Sequence, residues 1–415
     1  MSAAADAHPG RAAVGRADWA RLGVRAACLV VGVALVVPWA VQFYWPAAGG
    51  LDVTGHQIGR DFINVWAGPQ LAFGGKLAVL FDLSAYHAAI GELFGQPLPF
   101  HNWGYPLFTL PAFWPLAQFP YFAALVIWTI GLFAIFAGVT LSPIDAKDRA
   151  SALLVLLVAP ACLINTIGGQ NGFLSAALLL GGVLCIDRRP ILGGVLFGLL
   201  TFKPHLGLII PFALLALRAW RVIAAAIVTA AILVACSVAL FGIEPWRQYL
   251  EVAGTYQVLL LERFHGFYTS MMVSGVAGAR TFGLSYLASL KIQVVLSIVV
   301  IAAATWAVMC TADPRRRAFV LASATPLVTP YSFNYDLTAL SAVLLWQLYR
   351  PEPLGRVRAA IVVLGWLAAA LPMYLAVPGW GLAPLVLAAV FALSVYDAVH
   401  DRAVAPRDAG RPALA

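Results

Sequence analysis

Apolar residues run almost unbroken for long stretches of this chain, and short polar clusters separate the stretches. A run of about 20 apolar residues is what a helix needs to cross the hydrocarbon core of a bilayer. Such runs at 26–44, 120–141, 150–168, 171–186, 222–242, 284–310, 318–330, 336–349, 358–376 and 382–399 predict membrane helices. Residues 190–217 form one apolar stretch interrupted by Lys203-Pro204, and proline kinks a helix by removing a backbone donor, so two short helices are expected there. The short, proline-rich segment 106–118 reads as a half-span or an interfacial helix. The pattern as a whole predicts an all-α polytopic membrane protein with 11–13 membrane helices. Between the first two spans, residues 45–105 break the rhythm with aromatics, glycines and the acids Asp52, Asp61, Asp82 and Glu92. Within that loop, 62–73 and 83–94 read as helices lying in the membrane surface, because Trp and Phe edge them.

Composition agrees: 62% of the 415 residues are hydrophobic and 11% charged, against roughly 45–50% and about 25% in soluble domains. An ordinary soluble enzyme, a nucleic-acid binder and a disordered chain are excluded together. The net charge of +8 reports topology instead. Most of the 26 basic residues fall in the tail 1–25, at Lys147/Arg149, Arg188/Arg189, Arg218/Arg221, Arg315–Arg317, Arg350/Arg356/Arg358 and in the tail 400–415. Cytoplasmic segments carry such an excess of Lys and Arg. Both termini are therefore expected inside a plasma (inner) membrane, flanking one membrane domain over 26–399. The loops 45–105 and 243–268, with only Arg60, Lys76, Arg247 and Arg263, are expected to face the periplasm or exterior. The first apolar run resembles a signal sequence but is long enough to remain as an anchor. The five cysteines sit in apolar runs without metal-ligand spacing and read as small hydrophobes; no metal and no cofactor is expected.

Five polar clusters carry candidate chemistry, four of them placed outside by this topology. Gly59-Arg60-Asp61-Phe62 sets a carboxylate beside a guanidinium, as a general base held ionised would need; Asp61 before an apolar run equally fits a helix N-cap. Asn102-Trp103-Gly104-Tyr105-Pro106 closes the loop and suits either a binding edge or an aromatic belt. Gly168-Gly169-Gln170-Asn171-Gly172 offers two amides for sugar hydroxyls on what is otherwise an interhelical turn. Lys203-Pro204-His205 breaks its stretch at the tip of a helical hairpin, where an ionisable residue is expensive and broken helices usually line a site. Lys203 can neutralise a phosphate with help from the helix beginning at Pro204, or it snorkels to the interface. Pro330-Tyr331-Ser332-Phe333-Asn334-Tyr335-Asp336 joins two spans, with Asn334 and Asp336 as site candidates or as turn residues. His265 and Arg280 are weaker candidates, since a lone residue of either kind is more often structural.

In combination the stretches GRDFINVWAGPQLAFGGKLAVLFD, NWGYPLFTLPAFWPLA, GGQNGFLSAALLLGG, DRRPILGGVLFGLLTFKPHLGLIIP and TPYSFNYDL, in that order over 58–340, resemble glycosyltransferase family 87 of the GT-C class. That class is related to polyprenol-phosphate-mannose-dependent mannosyltransferases. The resemblance implies a multispan fold with a large first external loop bearing the catalytic acid, a polyprenyl-phosphate sugar donor, transfer with inversion, and mannose as the sugar. Asp61 falls at the position of the loop aspartate regarded as general base, and Lys203 suits the donor phosphate. Tyr331 departs from relatives that carry His after the proline of the last cluster. The resulting expectation is transfer of a sugar to a hydroxyl of a glycan or glycolipid acceptor among membrane lipids, with no nucleic-acid partner. Asp61 would be catalytic; Arg60, Asn102, Tyr105, Gln170, Asn171, Lys203, His205, Arg280, Asn334 and Asp336 would bind substrate. A transporter or flippase of a lipid-linked sugar shares broken helices and midplane charge; against it stand the absence of an internal repeat and the long acidic-aromatic loop, and a non-catalytic assembly partner is the third reading.

Overall fold

A computed structural model of the chain describes residues 16–99, 101–263, 269–352, 354–375 and 379–404. The candidate His265 lies outside the described residues, as does most of each tail. Among the described residues the architecture is helical, with isolated bridges in place of a sheet. In order, the helices are α1 Arg16–Tyr44, α2 Phe62–Leu71, α3 Leu83–Phe94, α4 Thr109–Ala117, α5 Tyr121–Leu141, α6 Arg149–Leu157, α7 Pro160–Ile167, α8 Gly172–Cys185, α9 Pro190–Leu199 and α10 Ile210–Ala216. They continue with α11 Trp220–Phe241, α12 Glu244–Arg263, α13 Gly275–Thr281, α14 Tyr286–Met309, α15 Pro314–Val328, α16 Thr338–Leu348, α17 Arg356–Leu367, α18 Leu371–Leu375 and α19 Ala383–Val404.

Each run that hydropathy marked out falls on helix, but among the described residues fewer helices than the expected 11–13 are singly long and apolar enough to cross a membrane. Among the described residues five helices are long and apolar enough to cross a membrane: Arg21–Tyr44, Tyr121–Leu141, Trp220–Phe241, Tyr286–Met309 and Ala383–His400. The pair α6 and α7, bent by 57°, makes a sixth if it counts as one span. The other apolar helices are shorter, and α8, α15 and α16 are buried along nearly their whole length. A hydropathy window registers apolarity without distinguishing lipid from protein surroundings. Helices wrapped by protein need not match the bilayer, because their termini find partners inside the bundle. The interruption at Lys203-Pro204 does divide its stretch into α9 and α10, joined by one-turn 3-10 segments. The half-span at 106–118 is α4. The helix α12 lies in what hydropathy left as an outer loop; its polar composition gives no apolar run to detect.

Most of the basic clusters gather at one end of the bundle. Arg25 donates to the Leu348 carbonyl and lies 3.8 Å over the Tyr349 ring. The Tyr349 hydroxyl meets Ser151, Arg317 pairs with Asp187 at 2.9 Å, and Arg358 pairs with Asp397 at 2.5 Å. Segments assigned to one side from their charge are therefore neighbours in space. The 45–105 loop has a separate apolar core: Phe62, Tyr86, Ile90, Trp103, Leu107 and Phe113 pack with Tyr121 and Trp128 of α5. The buried Tyr86 hydroxyl donates to Asn64 at 2.7 Å, locking α3 onto α2. The loop thus forms a folded cap on the helices. Of the cysteines, Cys28, Cys162 and Cys310 are buried as expected, Cys185 is half-buried and Cys236 is exposed on α11.

Candidate active site

All five sequence clusters meet around the turn 168–171, which joins α7 to α8. Its conformation needs glycine. Gly169 has φ +59°, and a Cβ there would sit 2.2 Å from the Gly59 carbonyl oxygen. The turn therefore presses directly on the segment preceding α2, which only a residue without a side chain permits. That approach lets Gln170 donate its side-chain amide to the Asp61 carboxylate, while the Gln170 carbonyl accepts from Trp128 at 3.3 Å. Asp61 occupies the N-cap position of α2, but its side chain makes no capping hydrogen bond. The carboxylate is turned to Gln170 instead. Capping leaves this residue's geometry unexplained.

The next residue reaches the other way. Asn171 donates its Nδ2 to the Tyr105 hydroxyl at 2.9 Å and accepts from Lys203 Nζ at 3.0 Å through Oδ1. Lys203 Nζ is also 2.5 Å from Asp336 Oδ1 and 4.9 Å over the Tyr335 ring. Asp336 spends its second oxygen on the backbone N–H of Phe333, 3.1 Å away. Lys203, Asn171 and Asp336 are all buried, so this is an ion pair screened little by solvent. Gln170 and Asn171 are consecutive, so their Cα atoms are about 3.8 Å apart. One turn thus holds a carboxylate with one residue and a buried ammonium with the next.

The remaining candidates divide. Asn334 is wholly buried on the Asn334–Leu337 turn that carries Asp336, and both its amide atoms lack a hydrogen-bond partner among the described residues. The His205 ring stands edge-on to Tyr331 at 5.6 Å, and its buried Nε2 has no hydrogen-bond partner among the described residues. A helix does begin at Pro204 with Lys203 at its N-cap position; its first turn, Pro204–Gly207, is 3-10 and it runs on into α10, while α8 also begins within the network. Asn102 is half-buried and does not join the network. Arg280 donates to the Leu261 carbonyl and so ties α13 to α12. Arg60, next to Asp61 in the chain, pairs with Asp52 at 2.8 Å.

Two histidines absent from the sequence reading border this region. His101 is buried with Nδ1 2.7 Å from the Pro99 carbonyl, and His56 is edge-on to it at 6.3 Å. Burial holds both imidazoles below their ordinary pKa. Neither belongs to a motif. Among the described residues no group of His, Cys, Asp and Glu has the geometry of a metal site.

Fold and site together define a helical membrane protein with a carboxylate and a buried cation joined across one turn, beside the folded cap formed by residues 45–105. A family model matches residues 103–330, more than half of the chain, and the chain belongs to glycosyltransferase family 87. It is a glycosyltransferase. Comparison with curated proteins and with solved structures gives no match. The family match takes in Tyr105, Gln170, Asn171 and Lys203, whereas Asp61 lies before it and Asp336 after it.

Proposed function

We propose that the protein transfers a sugar, mannose by family resemblance, from a polyprenyl-phosphate donor to a hydroxyl of a glycan or glycolipid acceptor, with inversion, at the outer face of the membrane. The observation that carries this reading is the pair of consecutive amides, Gln170 on Asp61 and Asn171 on Lys203. Inverting transfer needs a base for the acceptor and a cation for the departing phosphate, held at fixed separation. The acceptor oxygen attacks the sugar C1 and forms the new C–O bond. Its proton passes to the Asp61 carboxylate. The bond from C1 to the phosphate oxygen breaks with its electron pair going to the phosphate, whose growing charge faces Lys203 Nζ.

An apolar cavity of about 420 Å³ adjoins the Lys203 turn and supports a lipid-linked donor. Pro106, Phe108, Pro204, Val234, Trp246 and Tyr249 help line it, between the segment that precedes α4, the Lys203 turn, α11 and α12. An isoprenoid chain buries readily against such a surface, and its phosphate would then lie beside Lys203. The gathering of basic clusters at the opposite end supports an outward-facing site. Single cysteines at positions 55 and 351, in a Cys-free background, test that orientation: an impermeant reagent on intact cells should label 55 alone.

The central test is turnover of radiolabelled polyprenyl-phosphate sugars by membranes carrying Asp61→Asn. Loss of a general base costs typically 10²–10⁴ in rate. Donor KM should stay near the wild-type value, because the base faces the acceptor. Near-normal turnover would remove Asp61 from the reaction.

A further inference from the structure

The residue before the candidate base has an unusual backbone and an unusually complete set of partners. Arg60 has φ +35°, one of two non-glycine residues with positive φ among the described residues, and Gly59 before it has φ +89°. Side chains with a Cβ seldom take this conformation unless their surroundings impose it. Here they do. Arg60 Nε and Nη2 lie 2.9 and 2.8 Å from Asp52 Oδ2, and Nη2 also donates to the Thr54 hydroxyl at 3.0 Å. The same nitrogen donates to the Phe43 carbonyl at 2.5 Å, and the guanidinium lies 3.8 Å over the Tyr44 ring.

Asp52 is only 3% exposed and has both oxygens occupied. Its Oδ1 accepts from Thr54 N at 2.9 Å, from the Thr54 hydroxyl at 2.7 Å and from His56 N at 3.2 Å. Phe43 and Tyr44 end α1, the first membrane helix. The guanidinium therefore bolts the end of a spanning helix and a buried carboxylate to the residue immediately before Asp61. Just beyond, the Arg60 carbonyl accepts the Ile63 N–H in the first turn of α2.

We propose that Arg60 is a positioning residue, acting through Asp52, Thr54 and the end of α1 to set the height and direction from which Asp61 meets Gln170 and the acceptor. This rests on Asp61 being the base. A guanidinium occupied on so many sides is not the substrate contact that its place beside Asp61 suggested from sequence. Positioning matters at this precision, since displacing a catalytic group by about 1 Å can cost 10²-fold in rate.

The test measures donor and acceptor kinetics for Arg60→Gln, Arg60→Lys and Asp52→Asn, each also in an Asp61→Asn background. Arg60→Gln and Asp52→Asn should each lower kcat by about 10–100-fold while both KM values stay within about twofold. The double variant should be little worse than either single one, since both break one bridge. Arg60→Lys keeps a charge for Asp52 but not the fork or the ring contact, and should recover part of the rate. In the Asp61→Asn background, Arg60→Gln should cost almost nothing further. A several-fold rise in either KM with kcat intact would make Arg60 a substrate ligand and overturn the proposal. So would an undiminished rate loss in the Asp61→Asn background, which a general loss of folding would also give. Normal turnover of Asp61→Asn alone would overturn the base assignment and the proposal with it, and that single variant tells the two failures apart. Should Arg60→Gln not accumulate, Asp52→Asn and Arg60→Lys carry the same comparison.

Discussion

The two halves of the site are built by opposite means. The Asp61 half stands on a loop: Asp61 is half-buried, and turns, a guanidinium bolt and a borrowed amide from Gln170 place it. The Lys203 half is sunk among helices, where a buried ammonium and carboxylate 2.5 Å apart satisfy each other. A group that must exchange a proton with an incoming acceptor needs access, and a loop provides it. A group that must stabilise charge works best where the dielectric is low and nothing has to reorganise. Under the proposed mechanism, stability and catalysis are therefore separable at Asp61 but entangled at Lys203.

That contrast can be broken most forcefully at the buried pair. Lys203→Met should cost about 10²–10³ in turnover and also destabilise the protein by roughly 3–5 kcal/mol, because Asp336 is left buried and uncompensated. Lys203→Met combined with Asp336→Leu should regain most of that stability and none of the turnover. Thermal unfolding in detergent, measured beside donor turnover, separates the two effects. A double variant that is stable and active would show that Lys203 serves the fold alone.

A smaller effect is expected at the joint between the halves. Gly169→Ala places a methyl against the Gly59 carbonyl at φ +59°, a strain of about 1–3 kcal/mol. The turn should yield by moving away from α2, so Gln170 loses Asp61 while Asn171 keeps Lys203. Turnover should fall about tenfold or more with donor affinity retained, measured by labelled-donor binding. Parallel loss of both would mean that the halves move as one body.

The least effect concerns the loop side alone. His56 and His101 are held below their ordinary pKa chiefly by burial, Arg60 adding to the effect and the carboxylates Asp52 and Asp61 opposing it at His56; Asp61 opposes it at His101 and His87 adds. The folded protein keeps both neutral where the unfolded chain already binds protons, near pH 6.5. Their contribution is complete above about that pH and is lost as pH falls through the lower folded values. Melting temperature should therefore drop as pH falls below about 6.5, and His101→Gln should flatten the drop. Equal slopes for both proteins would exclude His101 from the effect.

What was legible in the sequence follows from physics that is local. Long apolar runs, a proline inside one of them and the placement of Arg and Lys each act over a few residues, so the helices, the break at Lys203-Pro204 and the shared basic end could be read directly. Asp61, Gln170, Asn171, Lys203 and Asp336 were recognisable as polar residues that a membrane tolerates only for a reason. Their pairing was not legible, because 109 residues separate Asp61 from Gln170 and 133 separate Lys203 from Asp336. Arg60 shows the limit most clearly: adjacency in sequence suggested a partner for Asp61, while folding gave its charge to Asp52. Asp52-Val53-Thr54-Gly55 carried a usable signal, since Asp and Gly at this spacing mark a turn closed by the aspartate side chain. The number of spans was likewise beyond hydropathy, which measures how apolar a helix is and not whether lipid or protein surrounds it. Sequence thus determined which residues could neither dissolve in lipid nor stay idle there. Only the tertiary structure decided which of them share a charge, because ion pairs and close glycine contacts depend on distances that chain order does not contain.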